Sequence, residues 1–278
     1  MPYIKVTKDL DGAFAEAVAT EIAQQTQSAN PALDSPDISV QMDANNRPTV
    51  VLPYYRMGEK LLSDLIFEHL MGQQPIKSQL TPHFLRSFGC SLALRWFCGE
   101  GDVNPTNFSV VDGRLYSFDF DCCFESIQSD TSFAKTRIPT FVSINLNERR
   151  TPRSIIIGCI TNIFQSFKTM MPDDHVELNA LIEELTTGMT IELIQEGFHD
   201  QLKRMACVNL RDIISKQIPD RNRQKQYMDF LENKQKDTRN MIATTIEEKN
   251  GSTATWASFF GVASSIGRCF GMGHCSIP

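Results

Sequence analysis

Apolar and polar positions change period along the chain, and the changes divide it. Tyr3-Ile4-Lys5-Val6 is short and β-prone, Asp11-Gly12 reads as a turn, and Phe14 to Gln25 carries apolar residues at helical spacing. A loop from Asn30-Pro31 to Ser35-Pro36 precedes Ile38 to Met42, where apolar and polar residues alternate. The turn signal Asn45-Asn46-Arg47-Pro48 then leads into Thr49-Val50-Val51-Leu52, so this stretch predicts a hairpin.

Beyond Pro53-Tyr54-Tyr55 the period lengthens. Glu59 to Met71 and Pro82 to Phe97 predict helices, the second opened by Thr81 as N-cap with Pro82 in the first turn. The segment from Gly99 to Phe124 interrupts them with two strand-like runs, Phe108 to Val111 and Leu115 to Phe120, around the turn Asp112-Gly113. Helical patterns follow over 153–171, 174–187, 189–216 with a break near Gly197, and 219–248. Gly251 to Pro278 differs in kind, being rich in Gly, Ser and Ala and carrying Trp256, Phe259, Phe260, Val262, Ile266 and Phe270. It reads either as a segment that docks on a membrane surface or partner, or as a terminal helix packed on the body.

Charge and cysteine usage narrow the function. Lys plus Arg total 27 against 33 Asp plus Glu, giving a net charge of −6 and a pI near 5.4. That balance argues against nucleic-acid binding through bulk charge, so any phosphate must be held locally. The start of the chain lacks the regions of a secretory signal and no run of apolar residues is long enough to span a bilayer, which predicts a cytoplasmic protein. The eight cysteines form neither a CxxC pair nor a ligand-spaced cluster and read as small buried hydrophobes. The single histidines His69, His83 and His199 read as helix residues rather than ligands, and Asp173-Asp174-His175 as a helix start. Arg149-Arg150-Thr151-Pro152-Arg153 is either a solvated helix start or a contact for an anionic substrate or lipid surface.

Chemistry concentrates in Gly99-Glu100-Gly101-Asp102-Val103-Asn104-Pro105-Thr106-Asn107-Phe108 and, across the hairpin, Tyr116-Ser117-Phe118-Asp119-Phe120-Asp121. Phosphoryl transfer from a nucleotide needs a carboxylate near the attacking hydroxyl and oxygen ligands that hold Mg²⁺ against the phosphates. Asp102, Asn107 and Asp119 supply that set. The loop and the returning strand would deliver all three to one end of the hairpin.

In these residues the chain resembles the protein-kinase-like superfamily, whose catalytic loop reads D-x4-N and whose metal-binding strand ends in D-F-G. The closer likeness is to the aminoglycoside and choline phosphotransferase branch. The resemblance implies a two-lobed α+β fold with a reduced N-terminal lobe over 1–53 and a mainly helical C-terminal lobe over 54–250, carrying the catalytic hairpin at 99–124 and followed by the apolar tail 251–278. It makes Asp102 the catalytic base or hydroxyl-orienting residue and Asn107 and Asp119 the Mg²⁺ ligands. Glu100 and Gly101 depart from the family pattern, and Asp121 stands where the last glycine of D-F-G would, adding a further metal oxygen. Lys5 becomes the phosphate lysine, paired with Glu16 or Glu21 on the next helix. Val51 to Tyr55 becomes the hinge that bonds adenine, with Leu52 or Tyr54 bordering the ring. The glycine-rich strand pair with which the superfamily covers the phosphates is not found ahead of Lys5.

The implied function is Mg-ATP-dependent phosphoryl transfer to a hydroxyl of a small molecule, a lipid head group or a protein. The absence of an A-P-E segment after Asp119 tips the balance away from protein substrates. Atypical kinases that intracellular bacteria secrete into the host cytosol combine similarly minimal motifs with membrane-seeking tails. The rival is a pseudokinase or interaction module that keeps the fold without catalysis and works through its helices or tail.

Overall fold

The computed structural model describes residues 3–26, 38–52, 60–73, 76–99, 104–124, 127, 151–168 and 175–250. Within them the protein is mixed α+β and mostly helical, with eight α-helices and two three-stranded antiparallel sheets.

The first sheet has the order β1-β3-β2, built from β1 (Tyr3–Val6), β2 (Ser39–Met42) and β3 (Pro48–Leu52). Its register sets Lys5 opposite Val50 and Ile4 opposite Val51. Strand alternation therefore sends Lys5 to the face that carries buried Val50, and Ile4 and Val6 to solvent.

Between β1 and β2 runs α1 (Leu10–Thr26), which begins earlier than its apolar spacing predicts. Asp11-Gly12 is not a turn but the first helical turn, because the Asp9 carboxylate accepts the Gly12 N–H at 2.7 Å and caps the helix. Nearly every side chain of α1 is buried. Ala13 and Ala17 pack on Ile38, Val50 and Leu52 of the sheet, while Phe14, Val18, Ala19 and Ile22 join the main helical core. One small-residue helix thus bonds the sheet to everything else.

The second sheet has the order β4-β5-β6. Strand β5 (Phe108–Val111) pairs with β6 (Arg114–Ser117) through a two-residue turn in which Asp112 and Gly113 have φ of 50° and 70°, the left-handed backbone that tight hairpins demand. Strand β4 (Lys60–Leu61) pairs with β5, where the sequence predicts helix from Glu59; α2 starts only at Leu62 and runs to Leu70.

Helix α3 (Pro82–Cys98) starts as its cap predicts, with Thr81 Oγ1 accepting the Phe84 N–H at 3.2 Å, and ends on Gly99 at φ 62°. It lies against α6 (Gly188–Met205) at backbone contact distance. A Cβ on Gly89 would sit 1.9 Å from Ile194 O, and one on Gly197 1.9 Å from Arg86 O. Gly197 is therefore not a break: the predicted helix over 189–216 stays intact through it and divides instead after Met205, giving α6 and α7 (Leu210–Gln217). The remaining helices are α4 (Pro152–Lys168), α5 (His175–Thr186) and the long charged α8 (Arg221–Asn250). Among the described residues no helix is long and apolar enough to cross a membrane, and Cys90, Cys98, Cys122, Cys123, Cys159 and Cys207 are free thiols.

Candidate functional site

The site assembles where β1, α1 and the end of β6 meet. Lys5 Nζ lies 2.6 Å from Glu16 Oε2, bonds the Asp119 carboxylate, and lies 3.5 Å from Asp121 Oδ2. Three acids from two distant parts of the chain thus share one ammonium. Glu16 is buried, with 1% of its side chain exposed, and also accepts the Phe120 N–H at 2.7 Å on Oε2. Asp119 at 39% and Asp121 at 30% face solvent. Burial opposes charge on Lys5, but the combined fields of Glu16, Asp121 and Asp119, with the Asp119 hydrogen bond, raise its pKa far above the ordinary lysine value. Burial pushes the Glu16 carboxyl upward, and the ammonium beside it opposes that shift.

The segment after β6 is bent rather than extended. The sequence predicts strand to Phe120, yet β6 ends at Ser117 and Asp119 has φ 66°, a left-handed conformation uncommon for a residue with a Cβ. It is fixed from both sides, Phe120 N by Glu16 and Phe118 O by Arg95, whose Nη2 donates to it at 2.6 Å. Beyond the bend, the main chain of Asp121 closes on the start of α1. A Cβ on Gly12 would meet Asp121 O at 3.4 Å, an ordinary contact distance, so helix and acidic turn touch there.

Arg95 escaped the sequence reading. Its side chain is fully buried in α3 and donates from Nε to Ser117 Oγ at 3.2 Å and from Nη2 to Asn107 O at 3.0 Å. Its guanidinium carbon lies 4.7 Å from the Phe108 ring centre and 5.3 Å from that of Phe120. A signal existed, since Arg95 falls at helical spacing from Phe88, Ser91 and Leu92, all buried on the apolar stripe, where an arginine needs partners.

Asn107 closes a 3-10 turn, Pro105–Asn107, that Asn104 caps by accepting the Thr106 N–H at 3.0 Å. Its side chain is buried and its carbonyl also accepts the Phe118 N–H at 3.1 Å, which ties it to the strand leading to Asp119. Glu21 takes no part in this cluster: Gln217 donates to its carboxylate at 2.7 Å and Lys216 at 3.2 Å, which binds α1 to α7. Glu21 points there because it sits five positions on from Glu16 in α1, more than one helical turn. Leu52 is buried in the small core with Ala13 and Ala17. Asp102 and Tyr54 lie outside the described residues, as does the tail 251–278.

The acids and Asn107 offer hard oxygen donors, and both Asp119 and Asp121 already converge on one cation, the Lys5 ammonium. Such donors suit Mg²⁺, which takes one or two carboxylates and keeps several waters. Among the described residues no three His, Cys, Asp or Glu side chains are grouped to hold a metal by themselves. Searches of family models, curated proteins and solved structures give no match to this chain.

Proposed function

We propose that the protein is a Mg-ATP-dependent phosphotransferase with a protein-kinase-like arrangement: a reduced N-terminal lobe over 1–53, a helical lobe over 54–250 and a substrate hydroxyl on a small molecule or lipid head group. The observation that carries this reading is the meeting of Lys5, Glu16, Asp119 and Asp121 in one cluster. A lysine on a strand, a glutamate on the next helix and an acid leaving a distant hairpin are the parts such a site requires, in the expected order.

In this reading Lys5 neutralises phosphate oxygens and Glu16, held by Lys5 and Phe120 N, keeps the ammonium in place. Asn107, Asp119 and Asp121 would hold Mg²⁺, which when bound offsets the charge on the phosphates. Asp102 orients the attacking hydroxyl and receives its proton. Leu52 and Tyr54 would border adenine. The cell compartment is cytoplasmic, including a host cytosol for a secreted effector, and residues 251–278 would supply any membrane contact.

A non-catalytic module of the same fold is the second reading. It is favoured by the three-acid clamp, which leaves Lys5 fully compensated without nucleotide. Release of labelled phosphate from γ-labelled ATP, or its transfer to the protein, separates the two. The proposed activity is Mg²⁺-dependent and falls at least 100-fold in Asp102→Ala; a wild-type protein with no phosphate release or transfer above the level of Asp102→Ala would establish the module instead.

A further inference from the structure

A fully buried arginine must find acceptors for its donors, and the acceptors it finds show what it organises. Arg95 takes no surface role. Its bonds go to Ser117 Oγ, Asn107 O and Phe118 O, and its plane lies against Phe108 and Phe120. Asn107 is one of the oxygen donors assigned to magnesium. Phe118 and Phe120 flank another, Asp119. The fork therefore grips the backbone at the first donor and on one side of the second, while its aromatic contact reaches the other side.

We infer that Arg95 is a positioning residue for the divalent-cation site: its guanidinium sets the separation between the Asn107 and Asp119 side chains and holds Asp119 in its left-handed bend. The inference rests on the phosphotransferase reading of those donors and names a residue that reading does not use. The geometry explains why an arginine is needed. The guanidinium donates in fixed directions from a rigid plane and stacks on rings, so Nε reaches Ser117 Oγ while Nη2 holds both carbonyls; an ammonium has all its donors at one point and cannot serve all three acceptors from between the rings. Lys at position 95 would keep the charge and lose the span.

Groups that orient metal ligands without touching the metal change affinity about 10- to 100-fold when altered. The test is Mn²⁺ binding followed by electron paramagnetic resonance in the presence of ATP, on wild type, Arg95→Lys and Ser117→Ala, with circular-dichroism melts to confirm folding. Arg95→Lys should raise the Mn²⁺ dissociation constant at least 10-fold. Ser117→Ala, which removes one acceptor from the fork and keeps the core, should raise it roughly threefold, the value of a single hydrogen bond. Should Arg95→Lys fail to fold, Ser117→Ala decides by itself. Folded variants that bind Mn²⁺ as tightly as wild type would overturn the role of Arg95 while leaving the phosphotransferase reading intact. Wild type that binds no Mn²⁺ with ATP would overturn both.

Discussion

The two sheets deliver the two halves of the site by opposite means. Sheet β1-β3-β2 presents Lys5, a cation whose partners are carboxylates; sheet β4-β5-β6 presents Asn107 and the chain leading to Asp119, fixed by a buried cation whose partners are carbonyl and hydroxyl oxygens. In the first half charge compensates charge, and removing the one cation strands the buried Glu16. In the second, Arg95 orders the backbone and the acids remain turned toward solvent. Such a division suits a site that must keep its scaffold rigid while its acids stay open to a ligand. Glu16 belongs to both halves, since it binds Lys5 and the Phe120 N–H together.

The sharpest way to break this contrast is Lys5→Met. It leaves Glu16 buried without its cation and should cost about 3–5 kcal/mol in urea unfolding. Adding Glu16→Gln should restore more than half of the loss, because it removes the stranded charge while the amide oxygen can still accept the Phe120 N–H. Because the Lys5 pKa is raised in the folded state, its stabilisation is fully present below the ordinary value of 10.5 and is lost only as pH climbs through the raised one. A single mutant as stable as wild type at pH 7 would remove the charge-for-charge half of the account.

A smaller effect tests the scaffold half. Gly197→Ala places a methyl against Arg86 O and must push α6 away from the helix that carries Arg95. Its expected cost is about 2–3 kcal/mol by thermal unfolding, whereas alanine at Gly158 in α4, where no atom stands within 4 Å of the added carbon, should be neutral or slightly stabilising. Equal stability of Gly197→Ala and wild type would mean that the α3–α6 contact has slack.

A pH-dependent effect of comparable size lies on the far side of α3. Lys234 Nζ lies 4.3 Å from the Trp96 ring centre, and burial brings its pKa down to about 8. The unfolded chain therefore holds that proton more tightly than the folded one, so stability rises with pH between about 8 and the ordinary 10.5. Over that window wild type should gain on Lys234→Met by at most about 1.4 kcal/mol per pH unit, read from paired urea melts. A difference that does not change with pH contradicts the burial of this amine.

Much of the architecture was legible because it followed local rules. The hairpin turn at Asp112-Gly113, the capped start of α3 and the strand Tyr3–Val6 all obeyed turn, cap and β-propensity signals. The errors came from tertiary packing. Gly197 looked like a helix breaker and is a contact point between helices; Phe118 to Phe120 looked like strand and is bent by Arg95 and Glu16; Lys60-Leu61 looked helical and pairs with β5. Of the site, motif spacing could pick out Asn107, Asp119 and Lys5, but it left Glu16 and Glu21 equivalent, since only the fold turns one toward Lys5 and the other toward α7. Arg95 was hidden because a positioning residue belongs to no motif, and its role depends on which carbonyls the fold brings to it.

The central claim is that Lys5, Glu16, Asp119 and Asp121 form a nucleotide site. Its most direct measurement is the melting temperature of wild type and Asp119→Asn with and without ATP and Mg²⁺. Ligand at about 100 times its dissociation constant should raise the wild-type melt by several degrees, roughly 5 °C, and Asp119→Asn should lose the rise while keeping its own unliganded melt near wild type. A wild-type melt unmoved by Mg-ATP, or an equal rise in Asp119→Asn, would contradict the account.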